Sequence, residues 1–313
     1  MSAQSVTKPE PAPRWWQDDL LHDFLRSPVA LTAALLTVAI VAIAVGADVV
    51  APYDSNDPAS ANLIDARLPP GSIGLIGNRY LLGTDPLGRD MLSAIIFGLR
   101  TSLMVGAASV LLAAAIGITL GLICGYFRGL LDTIVMRIAD LQLSFPAILI
   151  ALLIDGVTRT VVDRGTHDRL AIPVLIAAIA ASYWVQYART VRGLVLVERG
   201  KEYVLAARVT GVSPLRIIAT HIQPNVMGPV FVVATINMSL AILTEATLSF
   251  LGVGVPPTKP SLGSLVRIGN EFLFSGDWWI SIFPGAMLVV LCLAVNLLGD
   301  WLRDALNPKL SDG

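Results

Sequence analysis

Six apolar runs divide this chain, and polar segments of very different lengths separate them. A hydrocarbon core about 30 Å thick takes about 20 apolar residues to cross as a helix. Residues 29–47 form an uncharged run of that kind, and 101–127 a longer one. The third run, 141–154, is short. It reaches spanning length when extended backwards through 134–139, with Arg137 and Asp140 placed near the interface. Pro146 lies inside it and predicts a kink or a shifted start, because proline removes a helical N–H and crowds the preceding turn. Runs 171–188, 226–244 and 280–299 complete the set. The pattern predicts an all-α, polytopic membrane protein with six transmembrane helices and both termini on one side.

Between the fourth and fifth runs the pattern changes character. Residues 202–225, EYVLAARVTGVSPLRIIATHIQPN, carry charges and two helix-like halves around a Gly-Val-Ser-Pro break. In the first half Glu202 lies near the start and Arg208 near the end, each favourable to the helix dipole. Gly211 stands where a left-handed C-terminal cap belongs. Ser213 then reads as an N-cap and Pro214 as the first residue of a second helix. In that helix Leu215, Ile218, Ala219 and Ile222 share one face by spacing. Pro224 is expected to end it before the fifth span, with Asn225 at the junction. Ala206 and Ala207 keep one surface of this helical knuckle thin.

Lys and Arg set orientation, since the cytoplasmic loops of membrane proteins are enriched in them. They are densest beside the knuckle, at Arg189, Arg192, Arg199, Lys201, Arg208 and Arg216, which predicts that segment 189–225 and both termini are cytoplasmic. The chain then divides into a cytoplasmic N-terminal segment 1–28, a first helix 29–47, an external loop 48–100, a five-helix core 101–301 containing the knuckle, and a cytoplasmic tail 302–313. The long, acidic lead before the first run argues for an uncleaved anchor rather than a signal peptide, despite the small residues at 45–47.

Composition narrows the function classes. Hydrophobic residues make up 55% and charged residues 14% of the 313 positions, against about 25% charged in soluble domains. A net charge of −1 without a basic face gives no support for a nucleic-acid partner. Cys124 and Cys292 lie within apolar runs, which argues against a disulfide scaffold. His22, His167 and His221 show no metal-ligand spacing, and no metal or cofactor is expected. Gly200-Lys201 is followed by Glu202 rather than Ser or Thr, so there is no phosphate-binding loop, and no catalytic constellation is present. The small residues Ser109, Ala113, Gly117, Gly121 and Gly125 recur at four-residue steps, a stripe that permits close helix contact within this subunit or with a second one.

Four segments, in order, resemble a known family. EYVLAARVTGVS followed by HIQPN resembles the cytoplasmic EAA loop of ABC-importer permeases, in the form of their dipeptide/oligopeptide/nickel branch. LLGTDPLGRDMLSAIIFGLRTSL at 81–103, TEATLSFLGVGVPP at 244–257 and NLLGDWLRDALNPKL at 296–310 are similar to further segments of that branch. The chain departs from the general motif in having Leu205 directly before the paired alanines, with its acid earlier at Glu202, and in having His221 and Gln223 near the motif's end. The resemblance implies a permease in a bacterial inner membrane and an ATPase-coupling role for Glu202, Ala206, Ala207, Gly211, Ser213, Pro214, Pro224 and Asn225. It also implies a second homologous permease, one or two ATP-binding cassette ATPases that hydrolyse ATP, and an external solute-binding protein. The implied cargo is a di- or oligopeptide, with nickel, glutathione or modified peptides as alternatives. An ion-driven secondary transporter is the rival of a different class, and a membrane scaffold without transport a third reading. Glu245, at the outer end of the fifth span, is a candidate gate residue; the plainer expectation is an interfacial carboxylate touching water.

The topology has a direct test. Reporter fusions placed after Gly211 and after Gly263 should report opposite sides of the membrane. Signals from the same side would remove the six-span arrangement.

Overall fold

The computed structural model describes residues 24–54, 62–75, 77–256 and 259–305, so His22 and most of both terminal segments lie outside the described residues. Helix α1 (Pro28–Val45) starts where Ser27 accepts the Ala30 N–H and Pro28 occupies the first turn. Helix α2 spans Met91–Phe127, capped by the Asp90 carboxylate on the Ser93 N–H at 2.8 Å. Residues 91–100, read from sequence as loop, therefore belong to a helix that outruns its apolar core. The charge of Arg100 is tolerated there because its guanidinium meets Asp48, beyond the end of α1, at 2.9 Å.

The third apolar run is the broken one. Helices α3 (Gly129–Leu143) and α4 (Ala147–Val161) meet at 96° across Ser144–Pro146, which makes the kink expected at Pro146 a full break. Side chains fasten the pair along helix α5 (Arg164–Glu198). Asp132 takes two hydrogen bonds from Arg192, at 2.5 and 2.7 Å. The Trp184 indole N–H donates to Gln142 at 2.8 Å, and the Ser182 hydroxyl reaches the Ala147 carbonyl at 3.3 Å. At the other end Arg159 donates to the Gly252 carbonyl at 3.2 Å. Among the described residues five unbroken helices are long and apolar enough to cross a membrane, and the bent pair makes a sixth when its two halves are counted as one span. Segment 156–170, read from sequence as an outer loop, lies in the end of α4 and the start of α5.

Helices α6 (Glu202–Val209) and α7 (Pro214–Phe250), α8 (Leu262–Phe272) and α9 (Trp279–Ala305) follow. A two-residue hairpin, β1 (Ser72–Ile73) with β2 (Arg79–Tyr80), pairs Ser72 with Tyr80 inside the 48–100 segment and leaves the all-α class unchanged. The LLGTDPLGRD segment is structural there. Asp85 holds Arg89 at 2.7 Å with both side chains buried, and the Thr84 carbonyl accepts the Trp279 indole N–H at 3.2 Å, tying the loop to the start of α9.

The small-residue stripe packs inside this chain. Ser109, Ala113, Gly117, Gly121 and Gly125 are all buried, and the three glycines lie against α5. A Cβ on Gly117 would stand 2.4 Å from the Trp184 carbonyl and 2.5 Å from the Tyr187 Cβ. One on Gly121 would meet the Ala188 carbonyl at 2.7 Å, and one on Gly125 the Val195 Cβ at 2.7 Å. The choice that sequence left open, contact within the subunit or with another, is decided for these positions. Around this contact Leu122, Tyr126, Val191, Val195, Val204, Ile217 and Ile222 form one buried cluster, so the main core continues into the knuckle.

Gly117→Val places methyl groups against α5 backbone that cannot move aside. Overpacking of this kind costs about 1–3 kcal/mol. The variant should unfold at a lower temperature in detergent and accumulate less in membranes, whereas Gly156→Val, with no atom within 4 Å of an added Cβ, should match the parent. Equal unfolding temperatures for the two would show the α2–α5 contact to be loose.

Candidate coupling site

The knuckle is built outward from the core. Helix α6 begins directly after the Gly200–Lys201 turn that ends α5, and its apolar positions Val204 and Ala207 turn inward. It closes as the sequence predicts: Gly211 adopts φ +79°, its N–H reaches the Arg208 carbonyl at 3.1 Å, and the Val212 N–H reaches the Ala207 carbonyl at 3.0 Å. This paired geometry is the Schellman termination, which satisfies two carbonyls at the helix end. An added Cβ at Gly211 would meet nothing within 4 Å, so glycine is required there by backbone conformation and not by space. Ser213 and Pro214 start the next helix as expected, although the Ser213 hydroxyl makes no capping bond.

Two expectations fail beyond that point. Pro224 does not end the helix, because α7 runs unbroken from Pro214 to Phe250 through a π-helical turn at Ile218–Ile222. The Gln223 N–H bonds to the Ile218 carbonyl, five residues back, and the widened turn admits a proline without an N–H of its own. The inward face is also different. Ile217, Ile218 and Ile222 are buried while Leu215 and Ala219 are exposed. Positions 217 and 222 share a side because this turn follows a five-residue spacing rather than the four-residue one assumed from sequence.

Charged side chains found only in the structure seat the knuckle. Arg199 donates to the Gly125 and Tyr126 carbonyls at 3.3 and 2.8 Å, closing the C-terminal end of α2. The Arg208 guanidinium lies 4.8 Å from the Tyr126 ring centroid. The Glu198 carboxylate, buried, accepts the Tyr203 hydroxyl and pairs with Lys201 at 2.7 Å. Glu202 is exposed in the first turn, so the acid that fastens this loop is Glu198, which sequence reading passed over. Burial, then the Glu198 carboxylate, pushes the Tyr203 phenol up to about 12, so it stays a proton donor at any physiological pH. Asn225 donates to the His221 carbonyl at 2.6 Å and to the Tyr203 oxygen at 3.2 Å. Outward, Leu205, Ala206, Val209, Gly211, Ser213, Pro214 and Leu215 form an exposed tip; Val209 is 89% and Leu215 72% exposed.

Glu245 lies on the same helix, 20 residues beyond Asn225, which is about 30 Å along α7. The expectation of a water-touching carboxylate is overturned, because Glu245 is fully buried. Ser102 of α2 donates to one carboxylate oxygen at 2.6 Å, and Ser249 donates to the other at 2.7 Å. Ser102 in turn accepts the Leu262 N–H at 3.3 Å, at the first turn of α8. Gly263 seats that turn, since its Cβ would stand 2.3 Å from the Ala246 carbonyl. The carboxylate therefore ties α2, α7 and α8 together. Neither serine carries a signal in sequence, because single serines in apolar helices are common.

Among the described residues no cluster of His, Cys, Asp and Glu has the makings of a metal site.

Comparison with known proteins gives concordant matches. Residues 117–312 match the family model described as the binding-protein-dependent transport system inner membrane component, and residues 15–70 match the N-terminal TM domain of oligopeptide transport permease C. A dipeptide transport system permease protein of Haemophilus influenzae is 36% identical over 299 residues, covering 96% of this chain and 97% of its own length. A glutathione transport system permease protein of Pectobacterium atrosepticum is 37% identical over 288 residues, covering 92% and 89%. Among solved structures, an inward-facing conformation of the MetNI methionine ABC transporter superposes with a TM-score of 0.55 over 69% of this chain and 98% of that one, at 20% identity, a likeness of fold.

Proposed function

The chain belongs to the family of binding-protein-dependent transport system inner membrane components, and on that premise we propose that its knuckle receives force from a cytoplasmic ATPase and its far end controls access from outside. It is a multi-pass permease subunit of an ABC importer and belongs to a transport family rather than an enzyme family. The cargo we assign is a di- or oligopeptide, supported by the peptide permeases among its relatives. A relative named for glutathione, itself a small peptide, fits the same class. Hydrolysis of ATP falls to partner subunits, consistent with the missing phosphate-binding loop. A second permease completes the path, and an external solute-binding protein delivers the cargo. In this reading the knuckle and both termini are cytoplasmic in a bacterial inner membrane.

One observation carries the coupling role. The inward side of the knuckle is fixed by Arg199, Arg208 and Glu198, while its outward side presents Leu205, Val209 and Leu215 without cover. A rigidly held, solvent-facing apolar tip outside the spans suits docking into a cleft of another protein. Glu202, Ala206, Ala207, Gly211, Ser213, Pro214, Pro224 and Asn225 divide within it: Ala206, Gly211, Ser213 and Pro214 lie on the tip, Ala207 in the core, and Asn225 at the hinge with α7. ATP binding draws the ATPases together, the tip follows, and α7 carries the displacement towards α8. Such a device moves an equilibrium only by the difference in partner affinity for its two states. An ion-driven carrier would require ionisable groups working along a path, whereas Glu245 is enclosed and held by two serines.

A branched residue at the left-handed Gly211 position costs about 1–2 kcal/mol, a factor of about 5–30 in the population of the docking conformation. Gly211→Val should insert normally, yet lose ATPase retention or the response of hydrolysis to loaded binding protein, with a sharp fall in uptake. Thr119→Ala, whose hydroxyl bonds only the Ala115 carbonyl of its own helix, should behave as the parent. Parental retention, stimulation and uptake in Gly211→Val, measured together in a reconstituted complex, would remove the coupling role.

We assign Glu245 to the outer gate as the residue that holds α8 on the spans. Glu245→Gln leaves one acceptor oxygen for two serine donors, so the amide nitrogen faces a hydroxyl that must turn round or lose its bond. Uptake should drop several-fold while ATPase retention remains normal. Unchanged uptake at equal membrane levels would make the carboxylate a packing element alone.

A further inference from the structure

Helix α7 contains the one π-helical turn among the described residues, where the knuckle passes into the span, and a chain of hydrogen bonds runs beside that turn. The Gln223 N–H reaches past the Ala219 carbonyl, its partner in an α-helix, to the Ile218 carbonyl. Pro224 has no N–H for the Thr220 carbonyl, so the α register gains less here than elsewhere. The Thr220 hydroxyl instead donates to the Arg216 carbonyl at 2.7 Å, which leaves its oxygen to accept from the His221 Nδ1–H, also at 2.7 Å. The His221 carbonyl takes the Asn225 amide, which also reaches the Tyr203 oxygen, and the Tyr203 hydroxyl ends on Glu198. The Tyr203 and His221 rings stack, with centroids 6.4 Å apart. Three elements thus meet at one point: the end of α5 through Glu198, α6 through Tyr203, and α7 just past its π turn through Asn225. Inserted π turns recur at functional sites in helices.

We propose that the turn at Ile218–Ile222 is a one-residue register slip between knuckle and span, and that the Glu198–Tyr203–Asn225 chain is the catch that holds it in the π state. This rests on the coupling reading above and adds how the movement passes into α7. Passing from π to α register takes one residue out of the turn, which rotates the knuckle by about 100° and shifts it by about 1.5 Å relative to α7. Ile217 and Ile222, buried together in the π register, would then separate by roughly 140° around the helix, so the slip also changes what packs against Val204 and Tyr126. The catch opposes the slip because Asn225 and Tyr203 hold the His221 carbonyl and Glu198 at fixed separation. A pull on α6 withdraws the Tyr203 hydroxyl first.

The test uses the complex purified from its native host through a tag on this chain, with its own ATPases and binding protein, in vesicles. Tyr203→Phe removes only the hydroxyl. It should retain the ATPases and raise unstimulated hydrolysis by roughly tenfold, the factor expected from losing one hydrogen bond to a carboxylate, while further stimulation by loaded binding protein disappears. Glu198→Gln keeps an acceptor for that hydroxyl and should remain stimulated. Deletion of the exposed Ala219, which forces the α register, should assemble and hydrolyse at one fixed rate with or without binding protein. Tyr203→Phe and the deletion both giving parental basal and stimulated rates would overturn the catch and the slip. Loss of assembly in Tyr203→Phe together with Glu198→Gln would overturn them as well, by making the cluster a folding element. Val209→Glu separates this inference from the reading beneath it. If Val209→Glu abolishes ATPase retention while Tyr203→Phe is parental, only the catch fails; if Val209→Glu retains and couples the ATPases, the docking tip itself is wrong.

Discussion

The close approach of α2 to α5 is the constraint from which the functional parts take their positions. Gly117, Gly121 and Gly125 let two helices lie backbone to backbone where any side chain would collide with a carbonyl or a Cβ. In lipid, with no hydrophobic drive between helices, van der Waals packing of this kind, which small residues allow, is one of the forces that associate them. It brings the two C-terminal and N-terminal ends to a common level. Arg199, just past α5, can then close the last carbonyls of α2, and Arg208 can rest on Tyr126. The knuckle stands on that platform.

From the platform, α7 connects two sites that have little in common chemically. At one end an apolar tip faces outward above a layer of ionic and hydrogen-bonded contacts. At the other, a carboxylate is enclosed by serines and fixes a short helix that the glycine at 263 lets sink against α7. A carboxyl group held this way gains from its hydrogen bonds but would be costly if a partner were lost, since buried groups left unpaired bear their full desolvation penalty. The arrangement therefore resists partial change. The π turn near the knuckle is the exception, a place where the helix has not taken its most regular hydrogen-bond register.

The broken third span follows from the same logic. Pro146 cannot continue a helix from the residues before it, and a 96° break would expose backbone groups to lipid if the pair stood alone. Side-chain contacts from α5, at Arg192, Trp184 and Ser182, fasten both pieces to the bundle on either side of the break. The sequence signal there was weak for that reason: neither half is long enough to cross, and what holds the pair against the bundle is its neighbour α5.

Sequence alone determined the features set by local physics. Runs of apolar residues specified the spans, a proline marked the break, and a glycine after a short helix marked a left-handed cap, since each depends on bonds within a few residues. The knuckle was legible for the same reason in its local geometry, down to the left-handed Gly211 and the start at Pro214. What sequence reading got wrong depended on an irregular turn or on which side chains fold back onto one another. Ile217, rather than Leu215, faces inward because the turn is π-helical, and a hydrophobic pattern counted in fours cannot reveal a step of five. Glu245 is enclosed because Ser102, 143 residues away in sequence, and the first turn of α8 converge on it. Glu198, not Glu202, anchors the loop because Tyr203 and Lys201 turn back to it. The destination of the glycine stripe was likewise undecided until α5 lay against it, because a stripe of small residues specifies closeness and only the tertiary structure supplies the neighbour.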